Sequence, residues 1–573
     1  METINLTIDG IKVKTTKGKR ILEAALDAGI YIPNLCALRD IKLPWGACRL
    51  CQVQIEGRRG TVTACSEPAA EGMIVRSDTP EVNCLRREIL EIMLARHPHE
   101  CLTCWRKERC QPFDICLRNV AVTERCVTCP KNRHCELQKV ADFIGLDTMA
   151  YPYTPKGLPV EMENPFIVRN NNLCILCGRC IRVCQEVLGF EAIAFNLRGA
   201  NTYIGGAFGK PLIKSGCTFC SSCVEVCPTG ALMDRGEEWT RGTEREVLSI
   251  RCKYHCPARV DVPRFIRFIR EKKYNEAVAV IRESVPFAAV CSLICEHPCG
   301  AEGACRRGDL DQPVAIRALE RFAIERSEKY GSAEPPKGVA SGKRIAVLGS
   351  GPAGLTAAYY LAKKGGHAVT VFESSSQPGG MMRALPDYVL PLNVLDAEIE
   401  GLANLGIEIK TQSKIKSVDE LFEKEFDVIL ATDIFTENTK ASLGKTRKGA
   451  FTVSDSAAGK ESFIQGVAAG RQAAASIDRY LGGTGNTTEV LAPVSDGVPR
   501  VGRIDNFAQR RRQVMPTEKP SKQIGEFNQV ELGFNDELGQ EEAKRCMGCD
   551  LRFMVARMVA SPEPKIATGL VRT

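Results

Sequence analysis

Two cysteine runs carry the most specific chemistry in this chain. Cys174-x2-Cys177-x2-Cys180-x3-Cys184 and Cys217-x2-Cys220-x2-Cys223-x3-Cys227-Pro228 repeat one spacing in tandem. This is the ligand pattern of two neighbouring 4Fe–4S cubes, in which the fourth cysteine of each run crosses to the other cube. The expected sets are therefore Cys174, Cys177, Cys180 and Cys227 for one cube, and Cys217, Cys220, Cys223 and Cys184 for the other. Structural zinc favours two separated CxxC pairs and is poorly served by such runs. In all, 27 of the 28 cysteines fall in ligand runs of this general kind. The exception, Cys84, is expected to be a buried thiol acting as a small hydrophobe.

Upstream, Cys36-x11-Cys48-x2-Cys51-x13-Cys65 offers four thiolates on a long loop, which suits a 2Fe–2S centre. The elements before it read as a hairpin, Asn5 to Ile8 and Ile11 to Lys14 across an Asp9-Gly10 turn. A short helix follows, with Ile21, Leu22, Ala25 and Leu26 on one face and Gly29 as its stop. The start and the cysteine spacing together resemble the N-terminal, β-grasp domain of the large iron–sulfur subunit of respiratory complex I and of the [FeFe] hydrogenases. After a helical stretch from Glu81 to Ala95, the resemblance extends to His97-x3-Cys101-x2-Cys104-x5-Cys110. In that family such a run implies a 4Fe–4S cluster held by one histidine and three cysteines. His97 matches by position, and His99 competes for the role. A neutral imidazole in place of a thiolate removes one negative charge and raises the potential. A second run, Cys126-x2-Cys129-x5-Cys135, departs from the family and reads as an inserted duplicate. With Cys116 it would hold a further cube, although the set to which Cys116 belongs stays open.

Near residue 250 the pattern changes. Cys252-x3-Cys256-Pro257 precedes a helical stretch over Val262–Ala279, then Cys291-x3-Cys295-x3-Cys299-x5-Cys305. A polar linker, 327–341, leads into a strand that runs into Gly349-x-Gly351-x2-Gly354, which opens a helix. A second strand, Ala368–Phe372, ends at Glu373, 19 residues past Gly354. Strand, glycines, helix and acidic residue in register form a dinucleotide fingerprint: backbone amides at the helix start take the pyrophosphate, and Glu373 takes the ribose hydroxyls. Gly379-Gly380-Met381-Met382-Arg383 and Leu385-Pro386-Asp387-Tyr388 resemble the FAD segment of the glutamate synthase small-subunit family, to which the iron–sulfur flavoprotein module of dihydropyrimidine dehydrogenase is related. That resemblance implies FAD contacts from Gly380, Met381 and Arg383. It also implies that Asp455 holds the ribityl chain and that Gln465-Gly466 lies near the flavin edge. Family members insert a second Rossmann domain for NAD(P)H before the Asp455 segment. Here the interval 433–450 holds 18 residues, and a βαβ unit needs about 30. Asp433 and Ser454 also replace glycines of the family pattern. Glu541 to Cys549 resembles the opening of that family's cluster domain, displaced here to the far end of the chain. Cys546 and Cys549 are thus expected to join Cys252 and Cys305, leaving Cys256, Cys291, Cys295 and Cys299 for another cube.

The resulting expectation is a multidomain chain of α+β and α/β parts: a β-grasp 2Fe–2S ferredoxin-like domain (1–80), a mixed histidine/cysteine cluster domain with a duplicated run (81–155), and a two-cluster bacterial ferredoxin domain (156–240). A helical two-cluster domain (241–330), a Rossmann-like FAD domain without its NAD(P)H insertion (341–485) and a linker with the last cysteine pair (486–573) follow. One 2Fe–2S cluster, six 4Fe–4S clusters and FAD are implied. No export signal or apolar stretch near 18 residues is present, which fits a cytoplasmic protein with no membrane span. The formal charge of +8 does not mark a nucleic-acid binder, because each cubane with its four thiolates adds about −2. The combined resemblances imply an electron-transfer subunit of an anaerobe's multi-subunit NAD(P)-linked formate dehydrogenase, hydrogenase or transhydrogenase. Its partners would be an FMN/NADH-binding subunit, a small 2Fe–2S subunit and a catalytic subunit, with ferredoxin as a further electron partner. The rival reading is an assembly scaffold whose flavin is off the electron path or absent. A self-sufficient NAD(P)H oxidoreductase would need a nucleotide site that the sequence does not show.

Overall fold

The computed structural model describes residues 2–236, 243–295, 299–327, 340–415, 417–432, 448–454, 456–457, 460–494, 497–524 and 528–559. They form two compact units: Met1–Glu246 with Ser495–Gln509 and Gly548–Thr573, and Val247–Val494 with Arg510–Met547. Residues 486–573 are thus distributed over both.

The first unit opens with β1 (Thr3–Ile8) and β2 (Ile11–Thr16), antiparallel with Ile8 opposite Ile11. Asp9 and Gly10 both take positive φ, 49° and 80°, the geometry of the two-residue turn that their types favour. Alternation buries Ile4, Leu6 and Ile8 against α1 (Ile21–Asp27), whose Ile21, Leu22, Ala24, Ala25 and Leu26 are all buried. Each fully buried aliphatic side chain contributes about 1.5–3 kcal/mol. β3 (Gln52–Ile55), β4 (Thr61–Thr63) and β5 (Ile74–Arg76) complete a five-stranded sheet in the order β2-β1-β5-β3-β4. α2 (Pro80–Leu94) starts where Thr79 Oγ1 accepts the Val82 amide at 3.3 Å and Pro80 stands at the first turn. Cys84, on this helix, is exposed and points its thiol at Glu88. The expectation of a buried thiol is therefore corrected: Val82, Arg86, Leu90 and Leu94 form the buried face of α2 and leave Cys84 off it.

Residues 97–135 are almost entirely turns, ended by α3 (Glu136–Ile144), which Gly145 closes in the left-handed conformation. Downstream, β6 (Val160–Glu161), β7 (Ile167–Asn170) and β10 (Leu232–Asp234) form one small sheet, and β8 (Ile193–Asn196) and β9 (Tyr203–Gly206) a hairpin. Between them lie the short helices α4 (Arg179–Arg182) and α5 (Ser222–Glu225). The segment 497–509 straps this part: the Val501 and Gly502 amides donate to the Leu188 carbonyl, and Phe507 packs on Phe219.

The second unit begins with short helices. The helical stretch expected over Val262–Ala279 is two helices, Val262–Arg270 and Tyr274–Arg282. Lys272 takes a φ of 57° between them, a conformation that no helix interior accepts. A five-stranded parallel sheet follows: β11 (Arg344–Leu348), β12 (Ala368–Phe372), β13 (Glu408–Lys410), β14 (Val428–Thr432) and β15 (Ala450–Val453), in the order β13-β12-β11-β14-β15. Buried on both faces, β11 and β14 read as nearly continuous apolar runs, as central parallel strands do.

Candidate metal centres and nucleotide fold

The loop from Cys36 to Cys51 wraps back on itself. The Leu35 amide donates to Cys48 Sγ and the Cys48 amide to Cys36 Sγ, each at 3.4 Å. Cys36 stands in side-chain contact with Cys48 and Cys65, and Cys65 with Cys51, so the four buried thiols converge. Arg86, on α2, anchors the loop by donating to the carbonyls of Leu50 (3.1 Å) and Gln52 (2.7 Å). Burial lowers its pKa to about 10. Amide donors aimed at sulfur and thiols gathered in an apolar shell are what a bound cluster requires.

The tandem runs are brought together in crossed fashion. Burial pushes the Cys174 thiol up to about 11, and the neighbouring Cys227 pushes further. Cys227 likewise opposes ionisation of Cys177 and Cys180, after burial itself. Cys184, pushed by burial to about 12, faces Cys220, and Cys217 and Cys223 both feel Cys184. These neighbours fit the expected sets, Cys174, Cys177, Cys180 with Cys227, and Cys217, Cys220, Cys223 with Cys184. The Leu176 and Phe219 amides donate to Cys174 Sγ and Cys217 Sγ at 3.4 Å. Buried thiols this crowded cannot all ionise unless positive charge sits among them, which a metal core supplies.

The turns from 97 to 135 enclose two cavities. One, of about 250 Å³, is walled by Cys101, Cys104, Cys110, Cys116 and Cys126. The other, of about 300 Å³, is walled by His97, Cys126, Cys129, Cys135, Leu173 and Gly230. Cys126 and Cys101 touch, which pushes Cys101 down to about 6 and Cys126 far up. His97 is buried, and its Nδ1 lies 2.8 Å from the Pro98 carbonyl. That contact makes Nδ1 the donor and leaves Nε2 free to ligate. Burial pulls its pKa to about 4, so the ring is neutral at physiological pH. His99 packs edge-on against Tyr153 and lines neither cavity. The division expected from sequence, His97 with Cys101, Cys104 and Cys110, and Cys116 with the later run, is not the one the cavities follow.

In the second unit Cys291, Cys295 and Cys299 are in serial side-chain contact, and Cys256 lies beside Cys291 and Cys299. All four are buried. Cys252, Cys305 and Cys546 pack partly buried against the same core. The helix Asp536–Ala543 carries Cys546 there: Glu542, fully buried, accepts from the amides of Ala315 (2.8 Å) and Gln513 (2.7 Å) and from Arg545 Nη1 (2.8 Å). Cys549 falls in the first unit, since the boundary lies between Met547 and Gly548.

The glycine-rich turn after β11 is as tight as the fingerprint requires. A Cβ on Gly349 (φ +103°) would lie 2.2 Å from Thr432 Oγ1, and one on Gly380 (φ +51°) 2.8 Å from Gly351 Cα. Gly354 likewise opens the helix Pro352–Lys363 against the Gly349 carbonyl. Glu373 is buried at the end of β12. Its carboxylate accepts from Ser350 Oγ (2.5 Å), the Ser350 amide (3.1 Å) and the Ser375 amide (2.8 Å). Burial raises its pKa, and the Ser350 hydrogen bond with the others outweighs that and holds it low. Met381 packs partly buried on the core, Arg383 pairs with Asp396, and Gln465 is exposed on the helix Phe463–Tyr480. Asp433 and Asp455 lie outside the described residues. Arg179 and Gly230 have no signature of their own in the sequence. Arg179 lies two residues past Cys177, and a Cβ on Gly230 would meet Cys129 Sγ at 2.5 Å.

Among the described residues no three His, Cys, Asp or Glu side chains close on a single metal ion, and none of the helices is long and apolar enough to cross a membrane. Residues 1–80 match the 2Fe–2S iron–sulfur cluster binding domain family, and 86–116 the NADH-ubiquinone oxidoreductase-G iron–sulfur binding region. Residues 164–233 match the ferredoxin-like domain of NADH-quinone oxidoreductase subunit 3, and 244–332 the 4Fe–4S domain II of dihydropyrimidine dehydrogenase. Residues 347–396 match an NAD(P)-binding Rossmann-like domain. The chain is 34% identical over 332 residues to the NADP(+)-dependent formate dehydrogenase subunit beta of Moorella thermoacetica, covering 51% of this chain and 45% of that protein. It is 33% identical over 249 residues to the NADPH-Fe(3+) oxidoreductase subunit alpha of Geobacter sulfurreducens, 43% of this chain and 26% of that one. It is 31% identical over 243 residues to the NADP-reducing hydrogenase subunit HndD of Solidesulfovibrio fructosivorans, 42% and 37%. The chain spans less than half the length of each of these relatives. Its matched segments are iron–sulfur domains of the types found in complex I and in subunits of NAD(P)-linked oxidoreductases, joined to a Rossmann-like domain.

Proposed function

We propose that the chain is a cytoplasmic iron–sulfur flavoprotein that relays electrons within a multi-subunit oxidoreductase. It would connect an FMN/NADH-binding subunit, with a small 2Fe–2S subunit, to a formate dehydrogenase, hydrogenase or similar catalytic subunit, or to ferredoxin. The observation that carries this reading is the contiguity of thiol sets in the first unit. Cys36, Cys48, Cys135 and Cys177 belong to one apolar cluster, and Cys129 lies near Cys227. When bound, the clusters supply one-electron transfer. The chain's own residues hold the ligands in fixed loops and exclude water from them. Abundant thiols set in ligand runs fit a reducing compartment.

The Rossmann-like domain is read as an FAD site formed by Gly349, Gly351, Gly354, Glu373, Gly380, Met381 and Arg383, with Asp455 and Gln465 completing it. A second reading, an assembly scaffold with flavin off the electron path, draws support from Arg383, which is engaged by Asp396 rather than free. The test is anaerobic isolation of the tagged chain from its own cells. An FMN-containing subunit should accompany it, and NADH should reduce the chain's clusters only in that assembly. Isolation as a lone polypeptide whose clusters never reduce with any partner fraction would reject the relay.

A further inference from the structure

We propose that His97 completes a 4Fe–4S site with Cys126, Cys129 and Cys135, and that Cys101, Cys104, Cys110 and Cys116 form a separate four-thiolate site nearer the surface. This rests on the reading of these runs as iron–sulfur ligands. It departs from the run order, in which His97 precedes Cys101, and from the family match that ends at residue 116.

Two cavities of cluster size lie side by side, and seven of the eight candidate ligands line one of them only. His97, Cys129 and Cys135 line only the cavity of about 300 Å³. Cys101, Cys104, Cys110 and Cys116 line only the cavity of about 250 Å³. Cys126 borders both, but the other cavity already has four thiols and this one has three ligands. The histidine is prepared for the inner place: its Nδ1 is committed to the Pro98 carbonyl at 2.8 Å, which presents Nε2 as the ligand. The two sites also differ in setting. Cys135 is buried, its Sγ 3.5 Å from the Pro228 carbonyl, and Gly230 forms the inner wall beside Cys129. The outer loop instead leaves Trp105, Phe113 and Ile115 exposed. The inner site, with a neutral ligand, should have the higher potential of the two. The contact between Cys101 and Cys126 makes the two sites neighbours.

The test uses the full chain loaded anaerobically, with iron content and electron paramagnetic resonance as readouts. Cys104→Ala and Cys116→Ala alter partly exposed loop positions and should strike the same site. Singly or together they should remove about four irons. A double variant that loses about eight would place Cys116 with the later run and overturn the division. With 15N-labelled histidine, the nitrogen hyperfine coupling of the reduced cluster should persist in Cys104→Ala and vanish in Cys129→Ala. Loss of the coupling in Cys104→Ala would overturn it as well, and this variant decides the matter even if Cys129→Ala does not fold. If none of these variants changes the iron content, the runs are not cluster ligands and the relay reading falls together with the division.

Discussion

Arg179 and Glu136 are joined by two hydrogen bonds of 2.8 and 2.9 Å from one guanidinium nitrogen to both carboxylate oxygens, and Arg179 is wholly buried. Its second terminal nitrogen reaches Asn34 Oδ1 at 3.5 Å. One side chain thus ties three ligand loops: Asn34 precedes Cys36, Glu136 follows Cys135, and Arg179 lies between Cys177 and Cys180. Burial opposes its charge, and Glu136 with the Cys177 thiol more than offsets that.

Arg179→Ala should therefore cost on the order of 3–5 kcal/mol, because it leaves a largely buried carboxylate without its partner. The check is the thermal midpoint of the loaded chain. Arg179→Lys should recover little, since a point charge cannot reproduce the planar guanidinium contacts.

The intact chain, prepared without oxygen, should contain about 26 irons per polypeptide, from one 2Fe–2S and six 4Fe–4S sites. A careful value near 22 would remove one cubane from the assignment.

Gly349→Ala should abolish flavin binding and leave the iron content unchanged. The new methyl would stand 2.2 Å from Thr432 Oγ1 at a φ of +103°, where an L side chain is also strained. Flavin absorbance and iron assayed on one sample decide it; parallel loss of both would mean that the Rossmann-like domain and the cluster domains do not fold independently.

Flavin in the isolated chain should not bleach on addition of NADH or NADPH, because only 18 residues occupy the interval 433–450, where the resemblance to the glutamate synthase small-subunit family implies an inserted nucleotide domain and a βαβ unit needs about 30. Rapid bleaching without partners would locate a pyridine-nucleotide site in this chain.

Glu542→Ala should lower the iron content by about four and destabilise the second unit, since it frees the segment that holds Cys546 and leaves Arg545 buried beside a missing charge. Unchanged iron would separate Cys546 from the ligands Cys252 and Cys305.

By itself the sequence determined the inventory of this protein. Spacing within a run specifies thiolate geometry over a few residues, so the runs, the Asp9-Gly10 hairpin turn and the turn from Gly349 to Gly354 were all legible. The crossing of Cys184 and Cys227 is an expectation built into the spacing itself. Partnership across long turns is not local and was decided only by tertiary structure. His97 is near Cys101 in sequence, yet it lines the cavity that Cys126, Cys129 and Cys135 also line. Cys84 sits on the exposed side of its helix because Val82, Arg86 and Leu90 claim the buried one. Arg179 shows no motif, since what it does depends on which loops meet around it. A ligand run states which atoms can bind, and the packing of loops in three dimensions states which of them bind together.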